Sequence, residues 1–231
     1  MSSFEAEYTA LQNDLSAVLQ KCSRPANAVK ILAVSKTFPV EAIREAYSCG
    51  VRMFGENKIQ ELAVKVAQLP DDIEWHFIGH LQSNKAAKAV ELADWIHSVD
   101  SLKLLNKLDR CAGEQQKRLN ILLEVNSGEE AKSGVSYDEL PELARAAAAA
   151  ENLDFRGLMT MAPLCDDPAV WQKSFEKLAS ARDELEKSLQ ITLPELSMGM
   201  TGDFKEAIAA GSTIVRIGSR LFGKRCYSVE S

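Results

Sequence analysis

The chain has 231 residues, 46% of them hydrophobic and 26% charged, with a formal net charge of −6. That length and balance suit one domain with a full core and exclude wholesale disorder. The acidic balance argues against a nucleic-acid footprint, which would be basic, but leaves room for a local basic site that holds a phosphate. No apolar run reaches the roughly 18 residues of a membrane span, and the first residues, Met1 to Glu5, lack the basic and apolar regions of a secretory signal. The five cysteines (Cys22, Cys49, Cys111, Cys165 and Cys226) are scattered and form no C-x-x-C. Reduced thiols in a cytoplasmic protein are the expectation, with no metal site.

Ser2 and Glu5 have capping-box spacing, and Phe4, Tyr8, Leu11, Leu15, Val18 and Leu19 recur at helical intervals. They predict an amphipathic helix over 1–24. Eight short apolar segments follow, at 30–35, 51–54, 74–78, 95–99, 119–125, 155–160, 193–198 and 212–217. Each precedes a helical pattern. Pro39 opens one that turns Val40, Ile43 and Tyr47 inward and stops at Gly50; Ile59, Leu62 and Val66 mark the next. Others run over 84–92, past Leu102, Leu105 and Leu108, over 137–150, and along Trp171, Phe175, Leu178, Leu185 and Leu189. Asp203 caps a short helix carrying Phe204, Ala207 and Ile208, and the last spans 220–222. Strands alternating with helices imply a parallel sheet. Eight such units imply an α/β fold, a single closed (β/α)8 TIM-like barrel over 29–223 with an extra N-terminal helix, in one domain covering 1–231.

In such barrels the active site lies at the C-terminal ends of the strands. The first strand closes on Lys36, where a lysine needs a reason. Burial would leave it neutral and able to form a Schiff base with an aldehyde; alternatively it reaches past the strand into solvent. The loops after strands seven and eight, Ser197-Met198-Gly199-Met200-Thr201 and Gly218-Ser219, occupy the slots where barrels often bind phosphate. Glycine lets backbone N–H groups converge on an anion and hydroxyls add donors, although glycines and hydroxyls also cap helices. Arg216, inside the eighth strand, must have a partner: a buried carboxylate or a ligand atom in the barrel mouth. An imine-forming lysine, a phosphate cradle on the opposite rim and an arginine between them outline a pyridoxal phosphate site. His76 lies among apolar residues, where a satisfied core histidine is the simpler reading. His80 and His97 show no metal spacing, and Lys85 and Lys88 read as a solvated helix face.

These motifs carry a family resemblance over essentially the whole chain. Ala33-Val34-Ser35-Lys36-Thr37, Phe54-Gly55-Glu56-Asn57, Trp75-His76-Phe77-Ile78-Gly79-His80-Leu81-Gln82-Ser83-Asn84-Lys85, Lys132-Ser133-Gly134, Arg156-Gly157-Leu158-Met159, Ser197-Met198-Gly199-Met200 and Val215-Arg216-Ile217-Gly218 resemble the pyridoxal phosphate homeostasis proteins of the YggS/PROSC type. The resemblance implies a barrel like the N-terminal domain of alanine racemase. It implies that Lys36 holds pyridoxal 5'-phosphate covalently as an internal aldimine. Met198, Gly199, Met200 and Thr201, with Gly218 and Ser219, would bind the phosphate. Arg216 would address the pyridine nitrogen, and Asn57 and His76 would line the pocket. The chain departs from the family at two positions, Thr201 where serine is expected and Ser219 where threonine is expected; both keep a hydroxyl.

The expected function is a carrier in intracellular vitamin B6 homeostasis without turnover of its own. The alternative is a racemase or decarboxylase of the alanine racemase-like fold type. Racemisation needs proton exchange on both faces of a carbanion, and in alanine racemase-like enzymes the second base comes from another domain, for which about ten residues after Ser219 leave no room. A sugar-phosphate barrel enzyme forming its imine at Lys36 is a third reading. A monomer in the cytoplasm is expected, with pyridoxal phosphate as ligand, pyridoxal phosphate-dependent apoenzymes as candidate recipients, and neither nucleic acid nor membrane as partner.

Overall fold

The structure, a computed structural model, describes residues 3–128 and 133–223; Ser2 of the capping box, Lys132 and Cys226 lie outside the described residues. Eight strands, β1 (Lys30–Val34), β2 (Met53–Glu56), β3 (Glu74–Phe77), β4 (Trp95–Val99), β5 (Leu119–Glu124), β6 (Leu153–Met159), β7 (Glu195–Ser197) and β8 (Ile214–Ile217), pair in chain order. β8 pairs in parallel with β1, with Lys30 opposite Ile214 and Ala33 opposite Ile217, and so closes the barrel.

The helices between them are α2 (Val40–Ser48), α3 (Ile59–Val66), α4 (Ala86–Leu92), α5 (Leu102–Glu114), α6 (Leu140–Ala148), α7 (Pro168–Leu189), α8 (Phe204–Ala209) and α9 (Ser219–Phe222). α6 begins three residues later than the predicted 137, with a proline in its first turn, where a missing N–H costs nothing. A short 3-10 turn, Ser83–Lys85, precedes α4. The extra helix α1 (Ser3–Lys21) buries Phe4, Leu11, Leu15 and Leu19. Its Phe4 ring lies 5.2 Å from Phe222 of α9, and Arg24 beyond its end donates to Ile208 O at 2.7 Å.

Outward-facing strand residues such as Phe54, Phe77, Ile96, Leu123 and Leu196 meet the helices in one continuous core. Each such side chain contributes about 1.5–3 kcal/mol by leaving water. β2 departs from its predicted range of 51–54 and runs on through Gly55 and Glu56. A glycine and a carboxylate read as a loop in sequence. Here Glu56 is fully buried and accepts from Ser35 Oγ and Lys65 Nζ, both at 2.6 Å, so the strand extends where the charge finds partners.

The barrel interior is unusual. Trp95, Leu122 and Met159 form a small apolar cluster there, but His76, His97, Ser197 and Arg216 are buried beside them. At the N-terminal end Lys30 Nζ donates to Glu195 Oε1 at 2.7 Å, and Thr213 Oγ1 donates to Glu195 Oε2 at 2.7 Å. Interiors of such barrels are normally filled with branched apolar side chains; this one carries a polar layer beneath its C-terminal mouth.

Candidate functional site

A cavity of about 240 Å³ opens at the C-terminal end of the barrel. Lys36, Arg216, Thr201, Gly202, Gly218 and Ser219 supply its polar wall, and Val34, Phe38, Ile78, Met159, Met161 and Met200 its apolar one. Six of the sequence-predicted residues, Lys36, Met200, Thr201, Arg216, Gly218 and Ser219, therefore converge on one space. Ser197 lies directly beneath it, bonded to Arg216. Met198 is buried among the apolar side chains outside the barrel, and the carbonyl of Gly199 accepts from Arg216 N at 2.9 Å. His76 sits deeper inside the barrel, fully buried. Asn57 lines a separate cavity of about 200 Å³ with Phe77, His80, Leu81, Gln82 and Lys85.

Lys36 is half-buried, and both of its neighbours are tied down. On one side Ser35 is buried: its hydroxyl donates to Glu56 Oε1 at 2.6 Å and its carbonyl accepts from Lys65 Nζ at 2.9 Å. Lys65 pairs with Glu56 at 2.6 Å, with both side chains almost wholly removed from solvent. On the other side Thr37 N donates to Glu61 Oε2 at 2.8 Å. Thr37 adopts φ 70, a left-handed conformation that a β-branched residue rarely takes. α3 thus uses Glu61 and Lys65 to fix the backbone that carries Lys36. The reading of α3 as a helix turning Ile59, Leu62 and Val66 inward passed over this pair. The signal was there: Lys65 lies three residues after Leu62, on the same face, and a lysine on a core-facing position needs a partner.

The loops after β7 and β8 form the opposite wall. Gly199 has φ +95, and a Cβ there would sit 2.6 Å from Ala207 Cβ. A Cβ on Gly218 would come within 3.2 Å of Val34 O. Asp203 caps the first loop by accepting from Met200 N. The hydroxyls of Ser219 and Thr201 meet at 3.4 Å across the gap between the two loops. Glycine at these two positions lets the loops pack against α8 and the end of β1, and so brings the two hydroxyls together at the cavity.

Arg216 finds no carboxylate within bonding distance in the described residues. Nη1 donates to Ser197 O at 2.7 Å and Ser197 Oγ at 2.9 Å, and Nη2 to Thr160 O at 2.9 Å. Burial pulls the guanidinium down to about 10, against the opposing influence of Asp203 and Glu124. Glu124, at the end of β5, is buried as well; desolvation and the nearby Asp100 push its carboxyl up to about 7, although Arg216 works the other way. Among the described residues, no group of three or more His, Cys, Asp or Glu side chains could hold a metal ion, and no helix is long and apolar enough to cross a membrane.

Comparison with known proteins settles what this barrel is. Residues 7–226 match the family described as alanine racemase, N-terminal domain. A pyridoxal phosphate homeostasis protein of Vibrio alginolyticus is 44% identical over 237 residues, covering 99% of this chain and 100% of that protein. The homologue of the same description from Escherichia coli is 40% identical, covering 94% of this chain and 95% of that one. The chain belongs to the pyridoxal phosphate homeostasis protein family. Among solved structures of that family, PipY of Synechococcus elongatus with PLP bound has a TM-score of 0.81 and 41% identity, covering 90% of this chain and all of that one. An alanine racemase of Clostridium difficile shares the fold with a TM-score of 0.74 at 13% identity; this chain covers 57% of it.

The residues present fit the cofactor named by those relatives. A lysine with a rigidly held backbone faces two hydroxyl-bearing loops across a cavity with an apolar wall, and an arginine fixed by three acceptors stands between them.

Proposed function

We propose that this family member binds pyridoxal 5'-phosphate in the barrel mouth and holds it covalently through Lys36, as a carrier that serves vitamin B6 homeostasis. The observation that carries the reading is the single cavity shared by Lys36, Arg216 and the two loops after β7 and β8. Thr201, Gly202, Gly218 and Ser219 would hold the phosphate, and Val34, Ile78 and Met159 would flank the ring. When bound, the cofactor supplies an electron-withdrawing ring conjugated to its imine. Arg216 would face the ring nitrogen and, as a donor that stays protonated at neutral pH, would leave that nitrogen without a proton and the ring a weak electron sink.

Racemisation requires two groups able to exchange a proton at one carbon. Among the described residues, the titratable side chains that line the cavity are Lys36 and Arg216, and guanidinium does not exchange protons at neutral pH. Holding the cofactor, rather than working on an amino acid with it, is what this wall of residues is equipped for. We take the chain to act as one domain over 1–231, a helix 1–24 added to a barrel 29–223, and as a monomer in the cytoplasm. Cys22, Cys49, Cys111 and Cys165 are free thiols, as that compartment favours. Pyridoxal phosphate-dependent apoenzymes are the candidate recipients.

The test is a titration of purified protein with pyridoxal phosphate, followed by visible absorption, alongside racemisation and decarboxylation assays with common amino acids. An absorption band above 400 nm in the wild type, lost in Lys36→Ala, supports the reading. Turnover well above that of free cofactor would make the protein an enzyme and overturn the carrier assignment.

A further inference from the structure

Below the cavity a hydrogen-bonded chain crosses the interior of the barrel. It begins at Glu74 on β3, whose side chain is 44% exposed at the N-terminal end. Glu74 Oε1 lies 2.7 Å from His76 Nε2, His76 Nδ1 lies 2.8 Å from His97 Nε2, and His97 Nδ1 lies 3.0 Å from Ser197 Oγ. Ser197 Oγ then accepts from Arg216 Nη1 at 2.9 Å. His76 stacks on Trp95 with ring centroids 5.5 Å apart and planes 9° apart, and His97 meets His76 edge-on at 5.0 Å. Both histidines are fully buried, and each has both ring nitrogens within hydrogen-bond distance of a partner.

The two ends of the chain dictate its direction. A carboxylate only accepts, so His76 carries its proton on Nε2 and presents Nδ1 as an acceptor. His97 must then donate from Nε2, which leaves its Nδ1 to accept from the Ser197 hydroxyl. The far end agrees: a guanidinium only donates, so Ser197 Oγ offers it a lone pair and sends its own proton to His97. Carboxylate and guanidinium demand the same tautomers, with both histidines neutral. The surroundings favour that state. Burial lowers the pKa of each histidine; Glu74 and Asp94 oppose this at His76 while Lys30 assists it, and His76 and Arg216 add to it at His97.

We propose that Glu74, His76 and His97 are positioning residues for Arg216, acting through the Ser197 hydroxyl to fix how the guanidinium faces the cavity. Glu74 touches neither the cavity nor Arg216, yet it fixes the histidine tautomers; without it His97 is able to donate from Nδ1 to the second lone pair of Ser197 Oγ, and the serine proton is released to turn elsewhere. The chain carries orientation, not protons, because it ends on a group that does not give one up. Its effect on the ligand rests on the cofactor reading above; its effect on the histidines does not.

The experiment uses the full chain labelled with 15N-histidine, together with a pyridoxal phosphate titration of the same samples. The chain has three histidines, and His80 is exposed, so assignment is tractable. In the wild type, His76 and His97 are expected as neutral Nε2–H tautomers at neutral pH. Glu74→Met, which keeps the length but removes the acceptor, should change the tautomer at His97, weaken pyridoxal phosphate binding 5–10-fold and move the visible band. Glu74→Gln retains an acceptor and should stay within twofold of wild type. In an Arg216→Lys background, Glu74→Met should add less than twofold. A thermal melt of each variant separates loss of folding from loss of orientation. The proposal is overturned if His97 in the wild type is protonated on Nδ1, or if Glu74→Met folds and leaves His97 and the visible band unchanged. A protein whose histidines respond as stated but which takes up no pyridoxal phosphate upholds the positioning of Arg216 and fails the cofactor reading instead.

Discussion

Replacing Lys65 with methionine isolates the device that holds the Lys36 backbone. Glu56 is fully buried, and Lys65 Nζ contacts its Oε1 at 2.6 Å and the Ser35 carbonyl at 2.9 Å. Glu56 Oε2 is also buried, with no hydrogen-bond partner among the described residues. Methionine preserves volume and removes the charge. Breaking a buried pair by deleting one partner costs about 3–5 kcal/mol, because the other charge stays buried and uncompensated. Part of that loss depends on pH. Burial raises the Glu56 carboxyl above its ordinary range, while Lys65 and Ser35 lower it. Without Lys65 it rises further. The unfolded chain then releases this proton first as pH increases, so stability falls between the ordinary carboxylate range, about 4.3, and the raised folded value, and stays low above it. Urea unfolding of Lys65→Met should therefore show a small loss at pH 5, from the Ser35 carbonyl, and the full about 3–5 kcal/mol at pH 8. Glu56→Gln/Lys65→Met should recover much of it, since neither partner is then left charged. A loss below about 1 kcal/mol, equal at both pH values, would refute the reasoning.

Three further outcomes follow from the same geometry. Glu124, pushed up to about 7, destabilises the fold progressively as pH rises from its ordinary range to about 7, so Glu124→Gln should be more stable than wild type at pH 8 by roughly 3 kcal/mol and equal to it near pH 4, by urea titration. Gly199→Ala must fit a Cβ 2.6 Å from Ala207 Cβ at φ +95; it should lose about 2–4 kcal/mol of stability and bind pyridoxal phosphate more weakly by displacing the loop that carries Thr201. Thr37→Asn places a residue tolerant of left-handed backbone where φ is 70, and should raise thermal stability by about 0.5–1 kcal/mol while keeping the Thr37 N–H bond to Glu61.

Much of the architecture was legible because it is local. Apolar runs separated by capped amphipathic helices, eight times over, leave few folds but a closed barrel, and the rule that function sits at the C-terminal rim brings Lys36, Thr201, Arg216 and Ser219 together without coordinates. What escaped depends on contacts between elements. β2 runs on to Glu56 only because Lys65 of α3 and Ser35 of β1 reach it. His76 reads as a core histidine or, by the resemblance, a pocket-lining one, and its place in a chain to Arg216 appears only when the closed barrel sets β7 across the interior from β3 and β4. Asn57 and the string His80-Leu81-Gln82 turn toward a second cavity on the outer side of the rim, which strand alternation does not reveal beyond the strand ends. In sequence Arg216 calls for a buried carboxylate or a ligand atom; in the fold two carbonyl oxygens and a hydroxyl hold it.

The central claim is that Lys36 is the residue that takes the cofactor. Purified protein loaded with pyridoxal phosphate, reduced with borohydride, digested and mapped by mass spectrometry tests it most directly. A pyridoxyl group on the peptide containing Lys36, at close to one per chain and absent from Lys36→Ala, is the predicted result. An adduct confined to another lysine, or none, would contradict it.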